Sequence, residues 1–397
     1  MSGWIEARDL EQRLGGLRGI GETPAGITRL AWTAEAEACG AWFADQAATL
    51  GRRCEIDPAG NHWAPPPAID APWWGLGSHL DSVRGGGSYD GPLGVAAAFE
   101  IASRAVAPVA VICLADEEGA RYNTPTFGSR ALVGRLEVAE LLGRRDDDGI
   151  TLRDALAAAG VDPGGLGRAP EWLGRLRGFL ELHIDQTREL AQAGRPSGVV
   201  SSLASRLRLE VELLGRADHA GTTHREERRD AMSAAARLIV AAEDLAAGTP
   251  ELAVTAARLL VEPNALTTVP ARVRLWLDAR APRAATVDAW RAALEAGAQE
   301  IAARTRVAIE PRTASRSEGV TFDAGVRGAL GRSEPAAPEL VCFAGHDAGV
   351  LGERVPAGMV LVRNPSGISH APQEHVDLDD AAAAANDVLR ALEELAG

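Results

Sequence analysis

Two incompatible apolar patterns run through this chain, and together they force it into more than one layer of structure. Residues Arg206–Gly215, RLRLEVELLG, alternate polar and apolar side chains, so a strand there has one dry face and one wet face. VAVICL (Val109–Leu114), the run ending at His183 in LRGFLELHID, and GMVLVR near the end are apolar almost throughout, as expected of strands buried on both faces. Helices punctuate the second kind. TAEAEACGAWFADQAATLG (Thr33–Gly51) is amphipathic and ends on glycine, GPLGVAAAFEIAS follows Asp90, and a last helix covers roughly Asp377–Leu395. Alternating helices and buried runs predict an α/β sheet.

The middle follows a different order. After Arg206–Gly215 come a helix over Arg229–Ala246, strands near Leu252–Val261 and Arg272–Ala279, a helix near Val287–Ala303 and a strand at Val307–Pro311. That is β-α-β-β-α-β, the ferredoxin-like unit. At 397 residues the chain exceeds one ordinary domain. We expect a mixed-sheet catalytic domain from residues 1–204 and 314–397, with residues 205–313 inserted as a smaller domain.

Three apolar runs end in ionisable groups: His79, the trio Asp116-Glu117-Glu118, and His183. In open α/β sheets, sites form at the carboxyl ends of strands. Asp90, in the glycine-rich GGGSYDGPLG, and His370, in NPSGISHAPQEH, are further candidates. Three adjacent carboxylates repel unless a cation neutralises them. Mixed histidine and carboxylate donors suit zinc, manganese, cobalt or nickel, and a spare carboxylate could serve as a general base. Singly, each feature has an ordinary structural explanation: a histidine at a strand end is commonly solvated, and acids favour helix starts. The combination carries the inference. His62, His224 and His375 lack such company and read as surface or structural residues.

A net charge of −14 disfavours nucleic acid or an anionic membrane as a partner. No apolar stretch is long enough to span a bilayer, and MSGWIEARDLEQRL lacks an apolar signal core. The four cysteines are scattered, without a Cys-x-x-Cys pair, which points to reduced thiols and a cytoplasmic protein.

The ordered motifs GSHLDSVRGGGSYDGPLGV, ADEEGAR…FGSR, ELHIDQ, GRADHAGTT…RRDAM, PNALTTVP, LDAR, AGHDA and SGISHAPQEH cover nearly the whole chain. They resemble the dinuclear metal-dependent amidohydrolases. The branch is that of allantoate amidohydrolase, N-carbamoyl-L-amino-acid hydrolase and β-ureidopropionase, within the carboxypeptidase G and aminoacylase-like metallopeptidases. The resemblance implies two divalent metal ions. His79, Asp90 and His183 would hold one, and Asp90 would bridge to a second held by Glu118 and His370. It implies Glu117 as the base that takes a proton from water, and Asp81 as the group orienting His79.

It further implies substrate contacts from Gln186, His219, Asn264, Arg280 and Gly367, with His346 in a matched loop. Arg280 would grip a substrate carboxylate, and His219 would stabilise the oxyanion from the partner subunit of a homodimer formed by inserted domains. The implied reaction is hydrolysis of a ureido or carbamoyl C–N bond in a small carboxylic acid, allantoate or an N-carbamoyl-L-amino acid, with release of ammonia. An aminoacylase or dipeptidase of the same family, and a non-catalytic dimeric binding protein, are the alternatives. The chain departs from the branch at His224, at Thr187 and within the Arg121–Ser129 loop, which leaves the substrate open.

Overall fold

Val109–Leu114 forms a strand buried at every residue, as do Trp73–His79 and Ala357–Val362, which is what uninterrupted apolar sequence requires. The computed structural model describes residues 3–67, 69–333 and 336–397. The chain divides into two compact units, Met1–Ser201 with Thr321–Leu340 and Ala344–Gly397, and Ser202–Val320 with Val341–Phe343.

In the larger unit, Trp73–His79 sits at the centre of a mixed sheet. It pairs in parallel with Val109–Leu114 on one side and Leu176–Ile184 on the other, and Ala357–Val362 extends the parallel set beyond Leu176–Ile184. The margins are antiparallel: Ser197–Leu203 lies against Ala357–Val362, and His62–Ala64 against Val109–Leu114. The helix Pro92–Arg104 buries every residue from Pro92 to Ala102. It lies so close to the sheet that a Cβ on Gly94 would stand 2.2 Å from the Leu182 carbonyl oxygen. The long terminal helix Leu378–Ala396 adds Ala381, Ala385, Val388 and Leu392 to the same core. The Arg121–Ser129 loop buries Tyr122 and Phe127 in a separate apolar cluster with Leu152 and Leu156.

The smaller unit is a four-stranded antiparallel sheet in the order Ala253–Glu262, Arg272–Ala281, Ser205–Leu214, Ala308–Ser317. Its alternation sends Leu207, Leu209, Val211 and Leu213 inward with Val273, Leu275 and Leu277. They meet Leu238 of the helix Ala231–Ala247 and Trp290 and Leu294 of the helix Ala284–Thr305. The last strand runs to Ser317, past the expected Pro311, with a register shift between Thr313 and Ser315. Its polar tail, TASRS, reads as loop because nothing apolar marks the pairing. No helix among the described residues is long and apolar enough to cross a membrane.

Candidate active site

The three central parallel strands bring their ligand-bearing ends side by side. His79 closes its own strand opposite Leu114, so the acidic trio leaves the neighbouring tip. His183 reaches the same level on the other side, and the two imidazoles stack with centroids 5.8 Å apart and planes inclined by 25°. His79 Nδ1 lies 3.0 Å from the Asp81 carbonyl oxygen, and His183 Nδ1 lies 3.0 Å from that of Ile184. A carbonyl can only accept, so both Nδ1 atoms carry the proton and both Nε2 lone pairs face inward.

Those Nε2 atoms are buried and complete no hydrogen bond, although Asp90 Oδ1 stands 3.6 Å from His79 and 3.1 Å from His183. The other oxygen, Asp90 Oδ2, is 3.2 Å from His370 Nε2, which in turn is 3.5 Å from Glu118 Oε1. Two donor groups therefore meet at one carboxylate: His79, Asp90 and His183, and Asp90, Glu118 and His370, each with donor atoms within 4.8 Å of one another. Lone pairs converging without a proton between them fit a pair of divalent ions. The field agrees. Burial opposes charge on His79, yet Asp81, Asp90 and Glu117 outweigh it and raise its pKa well above the ordinary value. His370 is pushed up to about 8, chiefly by Asp90. Burial, and then Asp90, lift Glu118 to about 7. The carboxylates around His79 and His370 favour positive charge at both rings, which a divalent ion would supply.

The trio at the strand tip divides its tasks. Asp81 accepts the backbone amides of Glu117 and Glu118, each at 3.1 Å, so its carboxylate fixes the acidic turn. Its nearer oxygen is 3.6 Å from His79 Nδ1, and the hydrogen bond orienting that ring goes to the Asp81 backbone instead. Asp116 adopts a left-handed backbone with φ 51°. Glu117 is buried, with Oε2 3.9 Å from His79 Nε2, and burial drives its carboxyl well above the usual range.

Asp90 depends on a residue that sequence reading passed over. Glu374 Oε1 accepts the amides of Tyr89 at 2.8 Å and Asp90 at 3.0 Å, while Oε2 accepts from Ser369 at 3.2 Å. Gly91 follows with φ 83°, and any Cβ there would lie 2.6 Å from the His79 ring. Asn364, fully buried, shapes the His370 loop by accepting the amides of Ser366 and Gly367 and donating to the Ile368 carbonyl. Glu181 accepts from Ser78 and from the Ala348 amide. It also forms a third potential donor group with His183 and His346. His346 packs 4.4 Å from the His183 ring with both nitrogens unbonded.

Of the expected substrate residues in the larger unit, Gln186 donates to Asp90 Oδ2 at 3.0 Å, and Gly367 holds φ 66° in the Asn364 loop. The other three belong to the smaller unit. His219 is exposed, and its Nδ1 accepts the amides of Gly221 and Thr222, both at 3.1 Å. Its neutral ring therefore carries the proton on Nε2, ready to donate. Asn264 lies exposed in the turn after Glu262. Arg280 gives Nε and Nη2 to Asp278 at 2.7 and 3.4 Å and Nη1 to the Phe343 carbonyl at 2.7 Å, which leaves one N–H on each terminal nitrogen for a ligand. His62 packs its ring against Phe43, His375 faces Tyr89, and His224 is exposed.

The sequence profile of peptidase family M20/M25/M40 matches residues 75–394. The chain is 35% identical to an N-carbamoyl-L-amino acid amidohydrolase of Geobacillus stearothermophilus, over 99% of both chains. It is 29% identical to an allantoate amidohydrolase of Bacillus subtilis (strain 168), over 88% of each. Among solved structures, an amidase of the hydantoinase/carbamoylase family from Burkholderia multivorans superposes with a TM-score of 0.87 at 29% identity, covering 99% of this chain and 98% of that one. Both donor groups, the central sheet that presents them and the smaller antiparallel unit are thus accounted for together: the chain belongs to peptidase family M20/M25/M40, among its carbamoylase- and allantoate-amidohydrolase-like metal-dependent members.

Proposed function

We propose that this protein hydrolyses the ureido or carbamoyl C–N bond of a small carboxylic acid, an N-carbamoyl-L-amino acid or allantoate, and releases ammonia. The observation that carries the site assignment is the split of Asp90: one oxygen faces His79 and His183, the other faces His370. In this reading His79, Asp90 and His183 hold one divalent ion, and Asp90, Glu118 and His370 hold the second. When bound, the ions polarise the substrate carbonyl and acidify water. Glu117 takes the proton of the attacking water and delivers it to the leaving nitrogen.

Substrate recognition follows from what each side chain has free. The N–H group left on each terminal nitrogen of Arg280 is offered to the substrate carboxylate. His219 offers an Nε2 proton to the developing oxyanion without needing to be charged. Gln186, Asn264 and Gly367 complete the contacts. We place the homodimer surface on the smaller unit, with His219 acting in the partner's site. We place the protein in the cytoplasm, consistent with four free cysteines.

The test is ammonia release by metal-loaded protein from allantoate, several N-carbamoyl-L-amino acids and N-carbamoyl-β-alanine, with N-acetyl amino acids and a dipeptide assayed for cleavage alongside. Turnover of one ureido acid, abolished by chelation, is expected. Cleavage confined to the dipeptide or acyl substrates would overturn the assignment.

A further inference from the structure

Beyond His183 the strand Leu176–Ile184 runs into a tight turn, Asp185-Gln186-Thr187-Arg188. Buried Asp185 fixes that turn: its Oδ1 accepts the Thr187 amide and the Thr187 hydroxyl, both at 2.8 Å. Thr187 Oγ in turn accepts the Glu189 amide at 3.1 Å. From this braced position the side chain of Arg188 crosses to the Asn364–His370 loop, where Nε donates to the Ser366 carbonyl at 2.7 Å. Its stem lies against Gly367, at which a Cβ would stand 2.5 Å from Arg188 Cγ.

Both segments that Arg188 joins end on the shared carboxylate. Gln186, two residues before it, donates to Asp90 Oδ2 at 3.0 Å, and Ser369, two residues after Gly367, donates to the same oxygen at 3.1 Å. The exposed guanidinium therefore stands beside the assigned reaction centre, between two of the expected substrate contacts, Gln186 and Gly367. Its terminal nitrogens make no hydrogen bond and meet no carboxylate among the described residues. That is out of keeping with a chain of 55 acids against 41 Lys and Arg. Arg121 and Arg280, by contrast, are paired with Asp146 and Asp278. With Nε committed, the end-on edge of Arg188 remains, two parallel N–H groups at carboxylate spacing.

We propose that Arg188 is a specificity-determining residue that selects substrates with a second carboxylate, namely N-carbamoyl or ureido dicarboxylic acids of the aspartate and glutamate type. The inference rests on the hydrolase reading above, in which Arg280 takes the first carboxylate. An amide in place of the second carboxylate keeps the shape but loses the charge and one of the two hydrogen bonds.

The test compares N-carbamoyl-L-aspartate with N-carbamoyl-L-asparagine, and N-carbamoyl-L-glutamate with N-carbamoyl-L-glutamine. Affinities are read by calorimetry on the metal-loaded Glu117→Gln chain, whose slow turnover spares the ligand, with and without a change at Arg188. Ammonia release is measured alongside on chains that keep Glu117. In at least one pair the acid should bind about tenfold tighter than its amide. Arg188→Ala should erase that preference, and Arg188→Lys, which keeps the charge without the fork, should retain part of it. A merely structural role would shift both members of a pair alike and leave their ratio intact. No acid preference in either pair, a preference that survives Arg188→Ala, or no saturable binding of any of the four would each overturn the proposal. Acid-selective binding that Arg188→Ala erases, without ammonia release from any of them, would count against the hydrolase reading and leave the assignment of Arg188 standing.

Discussion

His79 and His183 stack across two neighbouring parallel strands, each with its Nδ1 proton on a backbone carbonyl and its Nε2 turned toward the same oxygen of Asp90. Because Asp90 serves both donor groups and His370 only one, their removal should have unequal effects. Asp90→Ala should lose both ions and His370→Ala one, counted by elemental analysis of gel-filtered protein. An Asp90→Ala chain that retains two ions would contradict the shared-carboxylate reading. Chelation should abolish turnover, and adding back a divalent ion should restore it.

Glu117→Gln removes a base and keeps the shape. It should lower kcat by roughly 10²–10⁴-fold with metal content unchanged. Undiminished turnover with both ions in place would sink the role assigned to Glu117.

Glu374→Ala leaves the Tyr89 and Asp90 amides without their acceptor at a buried position. The expected cost is about 1–3 kcal/mol of stability, together with a roughly 10–100-fold loss of metal affinity. Glu374→Gln keeps an acceptor oxygen and should recover most of both. Urea melts and metal titrations read the two effects separately.

Glu374 and Asn364 also show where legibility ended. Buried strands announce themselves as apolar runs, and the alternation of Arg206–Gly215 marked a sheet with one wet face, because side-chain burial is written locally. His79, Glu118 and His183 were legible because ionisable groups are out of place at the ends of such runs, whereas Asp90 and His370 stood out in glycine- and proline-rich loops. Glu374 is different: its role is to accept amides 285 and 284 positions away, and no local pattern encodes that pairing. The same holds for Asp81, whose backbone orients His79 while its carboxylate holds a different turn. The short helices Val138–Leu141 and Pro170–Leu173 escaped notice because segments of one turn carry too few residues to show a period.

Asp278 links the smaller unit's stability to pH. Burial alone would raise its carboxyl, but Arg280 and Arg208 outweigh burial and hold it below the ordinary value. A depressed folded pKa adds stability above the unfolded value, near 3.9, and that stability is lost as pH falls through the folded one. Asp278→Asn should therefore destabilise the chain at pH 7 and less so at about pH 3, as compared by denaturant melts. Freed from Asp278, Arg280 should also raise KM more than it lowers kcat.

The amides of Glu117 and Glu118 both hang from Asp81. The assigned base and the assigned ligand are consequently one mechanical part, and a displacement of that turn moves them in step.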